Sequence, residues 1–419
     1  FLQAMYGAVD LIVVGKFAGT ADISAVSTGS QAMQLVTSLL VGLTTGVTVL
    51  LGQKIGEGRP DEAGSVVGSA ICLFVCVALA LTALLSALTE PFCRLLQAPE
   101  EAFVPTTQYV RICSAGTLFI VAFNVIGSVF RGLGDSKMPL ITVAIACVTN
   151  IFGDLLLVDV FQMGAAGAAL ATVFAQAVSV ILSLFVIMRR KLPFTFRKEQ
   201  LRFDRPLTAG ILRLGIPIAL QDVLVGVSFL VILAIVNSLG LLQSAGMGIA
   251  EKVCAFVMLL PSAFSQSVSA FVAQNTGAGK PERAKKALRY SVAVSLCISV
   301  FVFYFNFFHG DLLAGIFAND HAVILEAADY LKAYAIDCLL TSFLFCFVGY
   351  FSGLGKTVFV MTQGILGAFG VRIPVSFAMS RLPNVRLFYI GLATPCSTVV
   401  QVLLCLGYYA HLARRERRA

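Results

Sequence analysis

The chain is poor in charge. Asp, Glu, Lys and Arg make up 12% of its 419 residues, against about 25% in an ordinary soluble domain. So few ions cannot clothe a water-facing surface, which excludes a soluble globular fold. Tryptophan is absent, and the 11 cysteines contain no CxxC pair. Cys72 and Cys76 share a helix face, but no His or carboxylate lies near them in sequence to complete a metal site. Most of the cysteines sit inside apolar stretches, where they serve as small apolar filler. The histidines His309, His321 and His411 fall at the ends of such stretches. Gly132-Leu-Gly134-Asp135 and Gly277-Ala-Gly279 are not followed by phosphate-loop residues, so they are turns. The HExxH and GxSxG patterns are also missing. An enzyme and an ATP-driven pump are both disfavoured. Any work the protein does must draw on an ion gradient or on the gradient of its own substrate.

Apolar residues are abundant, at 58%, and fall in blocks of roughly 20 to 30, the length a bilayer-spanning helix needs. Breakers such as Gly56-Glu-Gly-Arg-Pro60 divide the blocks. Twelve helices are expected near residues 1–19, 24–53, 63–90, 104–130, 137–160, 165–190, 207–238, 243–273, 284–308, 322–351, 356–380 and 386–412. Phe1 already belongs to an apolar block without a basic n-region, so it opens a first helix that lacks its beginning and not a signal peptide.

The net charge of +8 is placed as in a membrane protein. Eight basic residues crowd Arg189 to Arg213, five crowd Lys280 to Arg289, and four close the chain from Arg414 to Arg418. The opposite loops hold few, chiefly Arg94, Arg381 and Arg386. Positive-inside bias then puts both termini in the cytoplasm, at the cell's inner membrane, and argues against a nucleic-acid partner.

The sequence partly matches itself at an offset of 220 or 221 residues. Gly56 falls on Gly277, Pro60 on Pro281, and Tyr109 on Tyr330. Phe130, Gly132, Leu133 and Gly134 fall on Phe351, Gly353, Leu354 and Gly355. The matches cluster at turns, where greasy composition alone would not produce them. The expected architecture is an all-α polytopic fold of twelve transmembrane helices in two pseudo-symmetric six-helix lobes. These are residues 1–190 and 207–412, with a cytoplasmic linker 191–206 and a basic tail 413–419. Six is an even number of spans, so the lobes are parallel repeats.

An ionisable residue inside a span is costly and is a functional hypothesis by default. Tyr6 and Asp10 are four apart in the first helix and share a face. Asn150 and Asp154 repeat the spacing in the fifth, and Thr172 and Gln176 in the sixth. The small-residue run Gly164 to Ala169 permits close helix contact there. If these faces meet, they form a polar pocket with two carboxylates. Both cannot ionise cheaply in low dielectric, so one can hold a proton. The same oxygens could instead bind Na+, or simply lock the helices together as a satisfied polar network. The second half offers Gln221, Asp222, Glu251, Lys252, Asp337 and Arg372. Glu251 and Lys252 are adjacent, about 100° apart on a helix, so both cannot face one groove squarely. Gln221 and Asp222 follow Gly215-Ile-Pro217, a kink that frees carbonyls. Gln176, Gln221, Asp222, Glu251 and Lys252 are candidates for a substrate cleft, and no metal site beyond Na+ at Asp10, Asn150 and Asp154 is expected.

The chain resembles the multidrug and toxic compound extrusion (MATE) transporters, nearest to the DinF-like bacterial branch. The resemblance runs over nearly the whole sequence. It is carried by Val9-Asp10 with Gly15, by Gly56-Glu-Gly-Arg-Pro-Asp-Glu-Ala63 and by Phe130-Arg-Gly-Leu-Gly-Asp-Ser-Lys-Met-Pro139. Asn150-Ile-Phe-Gly-Asp154, Gly164 to Thr172, and Ala273-Gln-Asn-Thr-Gly-Ala-Gly-Lys280 complete it. It implies antiport, in which an organic cation leaves as H+ or Na+ enters, with coupling in the first lobe at Tyr6, Asp10, Asn150, Asp154 and Thr172. Alternating access between the lobes, with the substrate in the cleft between them, a monomer, and no cofactor besides the ion are expected. The chain departs from the NorM-like branch, whose acids in helices 7 and 10 fall near Val225 and Thr341, both uncharged here. A flippase for a lipid-linked or amphipathic substrate is the rival within the same superfamily.

Overall fold

A computed structural model describes residues 2–96, 99–189, 192, 194, 196–318 and 320–416, with backbone alone for 2–8 and 95. Phe1, the linker residues Lys191, Pro193 and Thr195, Arg190, and the tail residues 417–419 lie outside the described residues, as does the Tyr6 side chain. All regular structure among the described residues is helical. The helices are α1 Leu2–Phe17, α2 Thr20–Gly56, α3 Pro60–Ala87 and the bent α4, Glu100–Ala115 with Thr117–Gly132. Next come α5 Lys137–Val160, α6 Gly164–Arg189, α7 Arg205–Asn237 and α8 Leu241–Gly277. The last are α9 Pro281–Phe308, α10 His321–Gly353, α11 Thr357–Ser380 and α12 Leu387–Glu416. Ten of these are long and apolar enough to span a bilayer, and α4 makes an eleventh if its two pieces count as one span. With α1, of 16 residues, the twelve expected helices are present.

Local structure departs from the expectation in three places. The fourth span is bent by 54° at Gly116 and starts at Glu100; at the bend α4 passes so close to α6 that a Cβ at 116 would run into the Val173 side chain. Short helices Thr89–Leu95 and Gly310–Gly315 follow α3 and α9. The last turns of α5 and the middle of α11 widen into π-helix over Leu155–Val160 and Leu366–Arg372. Such insertions occur mostly at functional sites.

The internal repeat is written into the backbone. Shifting α2 by 221 residues gives the bounds of α8, and shifting α3 gives those of α9. After α2, the amides of Glu57, Gly58 and Arg59 donate to the carbonyls of Gln53, Ile55 and Lys54. After α8, Ala278, Gly279 and Lys280 donate to Gln274, Thr276 and Asn275. Both turns need a left-handed residue, Gly58 (φ 70°) and Gly279 (φ 65°), a conformation glycine adopts without a steric penalty. Pro60 and Pro281 then open the next helix at the position where proline's missing N–H costs nothing. The exits of α4 and α10 repeat the same pattern at Gly134 and Gly355.

Chain contacts divide the protein into two compact units, Phe1–Ala219 and Leu220–Ala419. The division falls inside α7, because the start of that helix packs on α2. Gly42 and Gly46 are four apart on α2, a spacing that lets helix backbones approach closely in a membrane. A Cβ at Gly42 would stand 2.6 Å from the Ala219 nitrogen, and one at Gly46 would stand 3.0 Å from the Gly215 nitrogen. In unit 1 the core is Val-, Ala- and Leu-rich, from Val13 and Leu40 to Ala169 and Ile211. In unit 2 two clusters form, one around Met247, Leu331 and Ile390 and another around Val272, Phe351 and Cys405. Large apolar side chains such as Ile12, Leu79, Phe152, Leu230 and Phe301 are at least 60% exposed. An outer face of that kind belongs in lipid, and the chain is an integral membrane protein.

Two contacts fix how closely helices pack inside a unit. In unit 1, a Cβ at Gly132 would lie 3.1 Å from the Thr48 carbonyl of α2. In unit 2, a Cβ at Gly353 would lie 2.6 Å from the Ser269 carbonyl and 2.7 Å from the Val272 Cβ of α8. Asp22, in the first turn of α2, reaches the start of α6, where its Oδ1 accepts from the Ala165 amide at 2.8 Å. Gly353→Ala is therefore expected to lower the melting temperature of purified protein more than Gly132→Ala, since overpacking costs about 1–3 kcal/mol and only Gly353 meets backbone below 3 Å. Asp22→Ala removes a helix cap worth about 1 kcal/mol, whereas Asp22→Asn keeps an accepting oxygen and most of the stability. Equal melting of these two variants would contradict the cap.

Candidate cation-coupling site

Unit 1 brings Asp10, Asn150, Asp154 and Thr172 together from α1, α5 and α6. Small residues make this approach possible. A Cβ at Gly153 would stand 2.9 Å from that of Ala171, and one at Gly167 would stand 3.1 Å from the Leu157 carbonyl. The two helices are stitched again where Ser179 Oγ donates to the Thr142 carbonyl at 2.8 Å. Within the run Gly164 to Ala169, it is Gly167 that makes such a close approach. With α5 and α6 at this distance, Asn150 Nδ2 donates to Thr172 Oγ1 at 3.4 Å. Thr172 Oγ1 in turn donates to Asp10 Oδ2 at 3.2 Å. The Asp154 carboxyl lies beside that of Asp10, which also has Asn150 and Thr172 as neighbours.

Asp10 is 4% exposed, while Asn150 and Asp154 are fully buried. Four oxygens have no hydrogen-bond donor: Asp10 Oδ1, Asn150 Oδ1, and both of Asp154. No Lys, Arg or His among the described residues pairs with either carboxyl. A buried acceptor left unmet costs about 1–3 kcal/mol, more if it is charged. Two carboxyls side by side without a basic partner accept a cation readily, whether a proton on a carboxyl oxygen or a small metal ion held by several. Asp154 also stands at the junction where α5 widens into its π turns. Among the described residues, no group of three or more His, Cys, Asp or Glu side chains could hold a metal ion. Oxygens from Asn150 and Thr172 would have to complete any Na+ shell.

The other candidates are placed as follows. Tyr6 lies on α1 and its side chain is outside the described residues. Gln176 is buried one turn beyond Thr172 with its Oε1 unpartnered. Gln221 is half-buried against Gly364, also with Oε1 unpartnered. Asp222 and Lys252 are exposed and Glu251 is half-buried. No hydrogen bond or ion pair links these last three among the described residues, so unit 2 does not gather them as unit 1 gathers its four. Two contributors went unnoticed in the sequence. Cys113 of α4 lies near Asp10, yet a cysteine in an apolar run gives no signal. Asp22 gave one, as an acid in the first turn of a helix, but its partner is 143 residues away. Unit 1 also holds an apolar cavity of about 500 Å³ among α3, α4 and α6, bounded by Leu192, Phe194 and Phe196. None of the carboxylates lines it.

Comparison with known proteins identifies the family and the fold. The MatE family model matches residues 1–156 and 217–378. The chain is 25% identical to the probable multidrug resistance protein YoeA of Bacillus subtilis, covering 99% of this chain and 91% of that protein. It is 28% identical to the FAD transporter of Shewanella oneidensis over 73% of this chain and 69% of that protein. A crystal structure of MATE in complex with MaL6 shares the fold at a TM-score of 0.93 and 18% identity, covering 100% of this chain and 94% of that one. The chain belongs to the MatE family, the multidrug and toxic compound extrusion transporters, and is a membrane transporter and not an enzyme.

Proposed function

We propose that this protein exports organic cationic or amphiphilic compounds in exchange for H+ or Na+ by alternating access. The cation binds at Asp10 and Asp154, helped by Asn150 and Thr172. The observation that carries this reading is the set of four buried oxygens without donors, drawn from α1 and α5 and lacking any basic counterpart among the described residues. An empty, ionised site repels itself. An arriving H+ or Na+ cancels one of the two negative charges and relieves the repulsion, draws α1 toward α5 and α6, and changes the state in which substrate is held. Substrate and ion then take turns because each stabilises a different arrangement of the same helices. A membrane potential adds about 2.3 kcal/mol per charge for about 100 mV. H+ or Na+ is the only dissociable partner in this scheme besides the substrate. The protein acts as a monomer in the cell's inner membrane, with both termini cytoplasmic, as the basic segments indicate. The 33 phenylalanines supply ring faces suited to organic cations.

A second reading, transport of an anionic or lipid-like amphiphile, is favoured by the similarity to the FAD transporter of Shewanella oneidensis. The two differ in which labelled compound moves.

Inverted vesicles loaded by an imposed pH gradient, or separately by a Na+ gradient, decide the coupling ion. Wild type is expected to respond to one gradient with dye uptake, while Asp10→Asn and Asp154→Asn fall to the level of empty vesicles. Undiminished uptake by both variants would refute the coupling site. Thr172→Val removes the hydroxyl that joins Asn150 to Asp10. It should weaken the apparent affinity for the driving ion while leaving some transport at high ion concentration, read as a rightward shift of the ion titration.

A further inference from the structure

The apolar cavity of unit 1 lies apart from the carboxylates and takes no part in the exchange proposed above. It holds about 500 Å³ among α3, α4 and α6, within the range of about 300–1,000 Å³ usual for small-molecule pockets. Every described side chain that lines it is apolar. A drug-sized ligand is oriented by a few polar groups. This wall offers none, so the occupant it suits is plain hydrocarbon. On α4 the wall runs from Leu118 to Leu133, about 22 Å of helix at about 1.5 Å per residue. Half of a bilayer's hydrocarbon core measures about 15 Å. Val75, Leu118 and Leu184 of the wall are 41%, 43% and 46% exposed. The cavity is therefore open at the surface, among side chains of the kind that face lipid.

One end of the cavity is closed by the segment that joins the lobes. Buried Phe194 and exposed Phe196 line it there, and the segment is strapped over the start of α3. Gln200 Nε2 donates to the Asp61 carbonyl at 3.0 Å, and Ser69 Oγ donates to the Arg202 carbonyl at 3.4 Å. Gly68 makes room, since a Cβ there would lie 2.6 Å from the Gln200 carbonyl carbon. The same end is basic. Residues 189–202 contain six Lys or Arg and one acid, Glu199. Met188 and Phe196 are the last residues of the wall on α6 and on the linker, and the next residues are Arg189 and Arg197. The Arg189 guanidinium folds back over Phe185, its carbon 4.2 Å from the ring centre, and Phe185 is next on the helix to Leu184 of the wall. Arg189, Arg197, Lys198 and Arg202 are exposed, and none has an acidic partner among the described residues. A guanidinium stacked on a ring keeps its N–H edge for an oxyanion, which it meets with paired hydrogen bonds.

We propose that this cavity holds an acyl chain of an anionic phospholipid whose phosphate is met by Arg189 and Arg197, so that one lipid is a fixed component of unit 1. An apolar groove by itself would take any chain. The unpaired cations at its rim select a headgroup of net negative charge over a zwitterionic one. The bound lipid fills the space among α3, α4 and α6 and fastens the linker across its end. This role is independent of which ion or substrate the protein exchanges.

The chain has no tryptophan, so Leu184→Trp places a single fluorescent reporter at the cavity mouth. The full chain carrying it is reconstituted in phosphatidylcholine with a small fraction of phosphatidylglycerol brominated along its acyl chains. A parallel sample carries the same fraction of brominated phosphatidylcholine. The brominated phosphatidylglycerol is expected to quench the reporter several-fold more strongly. Adding Arg189→Gln with Arg197→Gln, or filling the cavity with Ala122→Phe, should each make the two lipids quench equally. Equal quenching without those substitutions overturns the proposal, as does a preference that survives either of them. Should Ala122→Phe fail to fold, the exposed Arg189 and Arg197 decide the matter by themselves. Relief of the quenching by tetraphenylphosphonium, an organic cation, would assign the cavity to substrate and would also overturn it.

Discussion

The site in unit 1 turns on the cost of burying two carboxylates that no basic side chain among the described residues meets. Four unmet acceptors in unit 1, at about 1–3 kcal/mol each, weigh heavily against a net domain stability of about 5–15 kcal/mol. In the exchange we propose, a visiting cation meets these oxygens, which would link occupancy to conformation. The site has to be built on three helices for that linkage to move anything. Thr172 shows how, since one hydroxyl accepts from α5 and donates to α1.

That chain of hydrogen bonds in turn depends on very small side chains. Gly153 against Ala171, and Gly167 against the Leu157 backbone, set the α5–α6 distance at which an asparagine and a threonine can meet. Asp22 holds the beginning of α6 from α2. In unit 1, glycine on α2 likewise lets α7 in: Gly42 and Gly46 admit Ala219 and Gly215. Membrane helices gain nothing from excluding water, because lipid is as apolar as leucine, and close backbone approach takes over the role of a hydrophobic core. The small residues are therefore as much a part of the site as the carboxylates.

The two units share a scaffold and differ in charge. Shifted by 220 or 221 residues, Asp10, Asn150, Asp154 and Thr172 fall on Val231, Gly370, Pro374 and Leu392. In the reverse direction Asp337 falls on Gly116, the residue at which α4 bends, and Arg372 falls on Phe152. The turns, the bounds of α2 and α3 and the pair Gly132–Gly353 survive the shift, and these buried ionisable residues do not. Repetition preserves what backbone geometry requires. Charge is free to diverge because a buried ion is constrained by its own neighbours and not by the fold.

Much of this was legible in the residues. Hydropathy and breakers located twelve helices, since a span needs a length and a composition, both properties of a continuous stretch. The repeat was visible because its turns need glycine at a left-handed position and proline at the next helix start, and such needs are tied to single residues. The i,i+4 pairs Asn150–Asp154 and Thr172–Gln176 were visible for the same reason, as local spacing on one helix. The meeting of those faces with Asp10, the bend at Gly116, the reach of Asp22 to Ala165, and the anchoring of Arg372 on Ser228 and Phe229 were not. Each joins residues far apart in the chain, across distances set by packing. The sequence alone determined which side chains would be costly to bury; tertiary structure alone decided that, among the described residues, unit 1 leaves its carboxylates without a basic partner and unit 2 anchors Arg372 on Ser228 and Phe229.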